Sequence, residues 1–361
     1  MVELDIFSFF SGVGILDLGF HNAGFNICFV NEVNTDFLNS YKFARNKMNI
    51  SQPEYGYANS DIRNIFTETR WNRIYDDACK KGVVGFIGGP PCPDFSFGGK
   101  NAGGTGANGM LTQIYSEIII EKKPDFFLLE NVKGLVQTKK HKEFFDEIKR
   151  DFEINGYFII ETLENALQYG VPQYRDRLFL IGLKKSVFGE TPNFQFGYGR
   201  TGNLQSIIKL PWPSQNEFAI NGHTEKPHGI CEDLTIQYWF DKNNVSVHAN
   251  ANDFFRPKPT TTRFLTIPEG DTHGKSFKRL HRWRYSPTAA YGNNEVHLHP
   301  YQARRISVSE ALAIQSLPQN FELPIELSLS AKFKMVGNGV PYLMAYNIAK
   351  GLYDWMENNI H

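Results

Sequence analysis

The chain predicts an α/β fold, with a mostly parallel sheet covered by helices on both faces, joined to a smaller, irregular, β-rich domain. Three observations carry this. From residue 4 to about residue 184, short apolar runs alternate with amphipathic stretches, the rhythm of strand–helix–strand units. That rhythm stops near Lys185, and from about Val187 to His299 the chain is rich in Gly, Pro, Asn and Thr without a long periodic helix. Helical spacing then returns in the closing "PYLMAYNIAKGLYDWMENN". At 361 residues the chain is long for one compact unit. These signals divide it into residues 1–186, 187–322 and 323–361.

The elements follow in order. "LDIFSFFSG" reads as a strand running into a glycine turn, and "ILDLGFHNAG" as a helix stopped by Gly24. "NICFVNE" is a strand, "TDFLNSYKFARNKM" a helix and "GVVGFIGG" another strand. "MLTQIYSEIIIEKK" is helical, and Pro124 marks the break before the strand "FFLLENV". The helix in "HKEFFDEIKRDFEINGY" precedes the strands "FIIETLEN" and "RLFLIGLKK". Later, Ser307 and Glu310 fit a capping box that starts "SVSEALAIQSLP", which Pro318 ends.

Composition narrows the function classes. The chain is 41% apolar and 21% charged, ordinary for a globular protein with a real core. Cys28, Cys79, Cys92 and Cys231 lie far apart with no C-x-x-C pair, which argues against a disulfide framework or a zinc site. The apolar runs are too short to span a bilayer, and "MVELDIFSFF" lacks the basic flank and cleavage site of a signal peptide; the expected location is the cytoplasm. The formal net charge of zero conceals an imbalance: Arg256 to Arg305 holds seven Arg and three Lys against Glu269, Asp271 and Glu295. A block this basic, interleaved with His281, Trp283, Tyr285 and Tyr291, is a candidate nucleic-acid surface. A solvated face with scattered counter-ions is the plainer alternative.

Several short constellations carry chemistry. In "FFSGVGILDLGF", Gly12 and Gly14 lie between a strand and a helix, where backbone amides can meet a ligand. A dinucleotide fingerprint needs a third glycine, but Asp17 stands there. Glu32, twenty residues beyond Gly12, ends a strand and suits ribose hydroxyls. A nucleoside ligand without a pyrophosphate fits both facts, and S-adenosylmethionine is the common one; Asp61 could then reach an adenine amino group. A tight turn and a solvated carboxylate would explain the same residues. Cys92, in "GGPPCP" just past a strand, is held by Pro90, Pro91 and Pro93 with no core partner; a thiolate there is a candidate nucleophile. Glu130 ends an apolar strand, where a carboxylate is costly to bury unless partnered, although it could instead cap the next helix. In "YGVPQYRDRLFLIG", alternation places Gln173, Arg175 and Arg177 on one face of an extended segment, and paired guanidinium groups suit phosphate or carbonyl oxygens.

Taken in order, "FFSGVGILDLGF", "GGPPCP", "ENV", "QYRDR", "RRISVSEALAIQSLP" and "VGNGVP" resemble the successive motifs of the cytosine-5 DNA methyltransferases. The resemblance covers nearly the whole chain outside 187–299. It implies a Rossmann-like, S-adenosylmethionine-dependent catalytic domain and a target-recognition domain built from the irregular region. It also implies that Cys92 adds to carbon 6 of a flipped cytosine, that Glu130 hydrogen-bonds ring nitrogen 3 and the exocyclic amine, and that Arg177 holds the base carbonyl. Arg175 would meet a phosphate or support the loop. For the cofactor, the resemblance implies Phe10 on adenine, Glu32 on the ribose, Asp61 on the adenine amine, and Gly12, Gly14 and Asn338 at the methionine end. Leu111 would be an apolar wall, and Ser11, Ile15, Val33, Ile62 and Pro91 would complete the lining. Residues 97–109 would close over the flipped base.

The implied partner is double-stranded DNA, positioned and read by Arg263, Lys278, Arg279, Arg282, Arg284 and Tyr291. A cognate restriction endonuclease in the same system is the family's commonest setting; no metal is implied. The sequence departs from the family pattern in four places: Pro93 follows the cysteine where Gln is usual, Ile15 replaces a common second glycine, "GANGML" replaces an acidic-x-Arg-Gly stretch, and Gly339 stands where Ser is frequent. Rival readings are a transfer-RNA methyltransferase of the same fold, a non-catalytic DNA-binding relative, and a nucleotide-dependent dehydrogenase, which the broken glycine fingerprint disfavours.

Overall fold

The computed structural model describes residues 3–91, 109–256, 262–274, 276–289, 291 and 296–360. Its centre is a sheet whose strands lie in the order β3-β2-β1-β4-β5-β7-β6. The strands are β1 (Leu4–Phe9), β2 (Asn26–Asn31), β3 (Tyr57–Ala58), β4 (Val83–Gly88), β5 (Phe126–Asn131), β6 (Tyr157–Asn165) and β7 (Asp176–Lys184). β1 pairs in parallel with both β2 and β4, and β4 with β5. β7 is inserted antiparallel between β5 and β6. The chain thus runs outward through β1, β2 and β3, then returns to place β4 on the other side of β1. That reversal opens a crevice at the carboxyl ends of β1 and β4.

Every residue of β1, β4 and β5 is buried, as expected of strands covered on both faces. Alternation sends Leu4 and Ile6 to one apolar cluster and Phe7 and Phe9 to the other. The first cluster lies under α1 (Ile15–Ala23) and α13 (Tyr342–Asn359); the second lies under α4 (Thr69–Lys81), α5 (Gly109–Lys122) and α6 (Lys139–Ile154). Helix boundaries follow local chemistry. Gly24 adopts a left-handed conformation at the end of α1, and Asn34 caps α2 (Thr35–Lys47) by accepting from the Phe37 amide. The short helices α3 (Ile62–Ile65) and α7 (Lys185–Phe188) fill connections.

The irregular region holds less sheet than expected. Its described residues contain one short parallel pair, β8 (Phe277–Arg279) with β9 (Val296–Leu298), and the small helices α8 (Leu204–Ile208), α9 (Ile236–Lys242) and α10 (Arg263–Thr266). The remainder is turns joined by isolated bonds, because Pro, Gly and Asn break both periodicities before a ladder can form. α11 (Val308–Ile314) begins with the Ser307–Glu310 capping box, and α12 (Leu329–Asn338) follows. An apolar cluster joins α11 and α12 to Val13, Ile15 and Phe37 and to Ile236, Trp239 and Leu280. Residues of the irregular region and of the sheet domain therefore share a core. No helix among the described residues is long and apolar enough to cross a membrane.

Candidate active site

Three chain segments converge at the carboxyl edge of the sheet. Glu130, at the end of β5, is buried, and Arg177 Nε at the start of β7 lies 2.8 Å from its Oε1. Arg177 also donates through Nη1 to the Asp176 carbonyl at 2.8 Å. Antiparallel register explains the meeting, since Asn131 pairs with Leu178 one step away. Burial pushes the Glu130 carboxyl above its usual range, opposed by the charges of Arg177 and Arg175. Gly89, in the loop leaving β4, is glycine for this reason: a Cβ there would sit 2.6 Å from Glu130 Oε2. The carboxylate is thus pressed against the segment that leads into Cys92, which itself lies outside the described residues.

Arg175 has a different environment. Fully buried, it donates to the Ala289 carbonyl at 2.9 Å, to the Gly337 carbonyl at 2.6 Å and to Gln173 Oε1 at 3.3 Å. Gln173 in turn accepts from the Ala289 amide. Of the two roles considered for Arg175, the phosphate contact is not available to a side chain enclosed in this way. Arg175 fastens the segment before β7 to the irregular region and to the end of α12.

A second set of residues surrounds the turn after β1. Phe10 takes a positive φ of 52°, uncommon for a bulky residue and a mark of a constrained site. Gly14 starts α1 at φ 79°, and a Cβ on it would strike the Tyr41 ring at 2.3 Å. The Glu32 carboxylate accepts from the Gly12 amide at 2.9 Å and the Asn34 amide at 2.8 Å, and burial raises its pKa against those bonds. Each oxygen keeps acceptor capacity for a further hydroxyl. Val33 is 61% exposed beside it, an apolar side chain turned outward next to half-buried Phe10. Ile62 and Ile15 are buried, Leu111 is half-buried, and Pro91 and Asn338 are exposed. Asp61 caps α3 and pairs with the exposed Arg63 at 2.6 Å, which lowers its pKa. Its carboxylate is already engaged by that cation rather than left open for an adenine amino group.

The residues present suit a ligand that carries polar groups. Ser11 Oγ and Thr112 Oγ1 are buried without a hydrogen-bond partner, and such groups are normally satisfied. Tyr115 is also fully buried, edge-on to Phe10 at 5.8 Å. Thr112 and Tyr115 were missed from the sequence; they share the inner face of α5, three residues apart, and that spacing was the available signal.

The family model for C-5 cytosine-specific DNA methylases matches residues 4–354. The chain belongs to this family. Among curated relatives, it is 49% identical to the type II methyltransferase M.NmeDI of Neisseria meningitidis serogroup C, over 98% of this chain and 84% of that protein. It is 30% identical to the type II methyltransferase M.FnuDI of Fusobacterium nucleatum, over 98% and 96%. A solved structure of a prophage-encoded DNA modification methyltransferase from E. coli superposes with a TM-score of 0.66 at 23% identity, covering 98% of this chain and all of that one; this likeness speaks to the fold. The protein is a DNA cytosine-5 methyltransferase with a Rossmann-like catalytic sheet.

The expected DNA-contacting residues of this methyltransferase divide sharply. Arg279 is fully buried and donates to the carbonyls of Ile267, Phe264, His299 and Gln302, with its guanidinium 3.6 Å from the Phe218 ring centroid. Arg282 is buried in a two-pronged pair with Glu269, 2.9 Å on each side, and donates to the Gly222 carbonyl. Both expectations are corrected: these arginines satisfy buried carbonyls and a buried carboxylate, so they do not face DNA. Tyr291 is turned inward against Phe333 and His297, and its buried hydroxyl has no partner. Arg284 is half-buried, donating to the Pro213 carbonyl at 3.3 Å, and Lys278 is half-buried. Arg263 is exposed. Even Arg304 is spent on Glu310, at 2.6 Å. Among the described residues, no cluster of His, Cys, Asp and Glu could hold a metal ion.

Proposed function

We propose that this DNA cytosine-5 methyltransferase uses S-adenosylmethionine as donor and acts on a cytosine flipped out of duplex DNA. The single observation that best supports this is the buried Glu130–Arg177 pair pressed against Gly89, three residues before Cys92. The donor supplies an electrophilic methyl group. Glu32 would take its ribose hydroxyls, with Phe10, Val33, Ile62 and Leu111 around the adenine, and Ser11, Gly12, Gly14, Ile15, Pro91 and Asn338 toward the methionine end.

The Cys92 thiolate would add to carbon 6 of the base, making carbon 5 nucleophilic. Glu130, its carboxyl pKa raised by burial, would bond ring nitrogen 3 and the exocyclic amine, while Arg177 holds Glu130 in place and faces the base carbonyl. After carbon 5 has taken the methyl group, loss of its proton and expulsion of the thiolate restore both the aromatic ring and Cys92.

The sheet domain, residues 1–186 with the returning 323–361, would bind donor and base, and residues 187–322 would read the DNA. Arg263, Arg284 and Lys278 remain the candidates for contact with the duplex. The type II methyltransferases among the relatives support a role in a restriction-modification system with a cognate endonuclease. Bisulfite sequencing of DNA from cells expressing the protein tests the reading. The expected result is protected cytosines within one short recurring sequence; an absence of protected cytosines, or methyl groups found in RNA alone, would overturn it.

A further inference from the structure

Two of the four departures from the family pattern, Ile15 and Gly339, lie far apart in sequence and touch in space. Gly339 ends α12 with φ −68° and ψ 154°, extended backbone that any residue can adopt. Nothing in its own conformation calls for glycine. The demand comes from outside: a Cβ at 339 would lie 2.4 Å from Ile15 Cδ1, with Ile15 Cγ1 at 3.3 Å and Cβ at 3.5 Å. Ile15 cannot easily swing away. It opens α1, is 2% exposed, and belongs to the apolar cluster shared with Val13, Leu18, Phe37 and Phe333. A β-branched side chain in a helix keeps essentially one χ1 rotamer, which holds Cβ and Cγ1 in place, and Cδ1 can turn about χ2 only within that packed cluster.

The contact lies between two parts of the donor site. Ile15 immediately follows the Gly12–Gly14 turn, and Gly339 immediately follows Asn338. The end of α12 is also held by other segments: Arg175 donates to the Gly337 carbonyl at 2.6 Å and Gln315 to the Val336 carbonyl at 2.6 Å. With the helix end held by these bonds, the side chain at 15 and the absent side chain at 339 determine how closely the two segments approach.

We propose that Ile15 and Gly339 form one interlocked pair and that Ile15 is a positioning residue for the methyl donor, setting the width of the pocket at its methionine end. The two departures are then a single exchange: bulk moved from the end of α12 to the start of α1. The proposal rests on the donor reading given above.

The minimal test exchanges one methyl group in each direction. Gly339→Ala adds the clashing Cβ, and Ile15→Val removes the Cδ1 it would strike. The readouts are the dissociation constant of S-adenosylmethionine by calorimetry, KM against kcat for the donor, and the affinity for duplex DNA. Gly339→Ala is expected to weaken donor binding about tenfold and Ile15→Val about twofold, while the double variant returns to within about threefold of the original, as a coupled pair in contact should. DNA affinity is expected to stay constant throughout.

Donor effects that simply multiply in the double variant would overturn the proposal. So would coupling seen in the thermal midpoint alone with donor affinity unchanged, which would make the pair a packing contact only. Failure of the unaltered protein to bind S-adenosylmethionine would instead sink the donor reading, independently of the pair.

Discussion

The sheet domain and the irregular region both bury charge, and they use it in opposite ways. At the sheet's carboxyl edge, Glu130 and Arg177 are buried as a pair, and the Glu130 carboxylate lies against the loop that leaves β4. The ladders of β5 and β7 satisfy most of the backbone there, and the two side chains pair mainly with each other. In the irregular region the backbone has few ladders. Arg279 alone takes four carbonyls, and Arg282 takes a carboxylate and a carbonyl. Part of the charge that looks like a DNA surface in the sequence, Arg279 and Arg282 above all, is internal scaffolding. A count of arginines measures their number, and burial decides their use.

Four experiments sharpen or break this contrast. The largest effect belongs to the sheet edge. Glu130→Gln keeps the shape and a hydrogen bond to Arg177 but loses the ionisable carboxyl, so transfer of labelled methyl groups should fall by ~10²–10⁴-fold, the range for a positioned acid or base. Donor affinity should hold. Transfer within twofold of the original would remove Glu130 from the chemistry.

Next is Arg282→Met, which strands Glu269 as a buried charge. Unfolding in denaturant should show a loss of ~3–5 kcal/mol. A variant of unchanged stability but weakened DNA binding would return Arg282 to the DNA surface.

Acid should then separate the two regions. Burial lowers the His281 pKa to about 4 and that of His297 to about 3. Both are neutral when folded, whereas the unfolded chain protonates near the ordinary value of 6.5. Their contribution to stability is therefore complete above about pH 6.5 and declines as pH falls toward 4. The buried carboxyls of the sheet domain, Asp17, Glu32 and Glu130, have raised pKa values. Their contribution is greatest below the usual carboxyl range and is lost as pH rises through the raised values. Hydrogen exchange between pH 6.5 and 4.5 should show the irregular region losing protection first; simultaneous loss in both regions would contradict the contrast.

The smallest effect is Arg263→Ala. Exposed as it is, its loss should change stability by less than ~0.5 kcal/mol while reducing the salt dependence of DNA binding by about one unit of slope. An unchanged slope would take Arg263 off the duplex.

These differences also show what was legible in the sequence. β1, β2, β4, β5, β6 and β7 stand where the apolar runs placed them, Gly24 ends α1, and the Ser307–Glu310 capping box is formed. Each is a local signal, set by periodicity or by a few adjacent residues. The resemblance implied that Glu130 and Arg177 serve one base, but their direct pairing follows from the antiparallel insertion of β7, which no local pattern encodes. Tyr41 against Gly14 and Ile15 against Gly339 were illegible for the same reason, whereas Arg63, two residues from Asp61, was a local signal. The two-residue β3 is too short to leave a period, and among the described residues of 187–299 the expected β-rich character gives way to turns, because Pro, Gly and Asn interrupt a ladder before it forms.

The central claim is that the sheet's carboxyl edge brings a nucleophilic sulfur and a ring-holding acid to one extruded pyrimidine. Incubating the protein with duplex DNA carrying 5-fluorocytosine at the methylated position, plus S-adenosylmethionine, should trap a stable one-to-one adduct, because fluorine cannot leave as a proton does. Peptide mapping by mass spectrometry should find the nucleotide on Cys92, and Cys92→Ser should abolish the adduct. An adduct on any other residue, or methyl transfer with no adduct through that sulfur, would contradict the account.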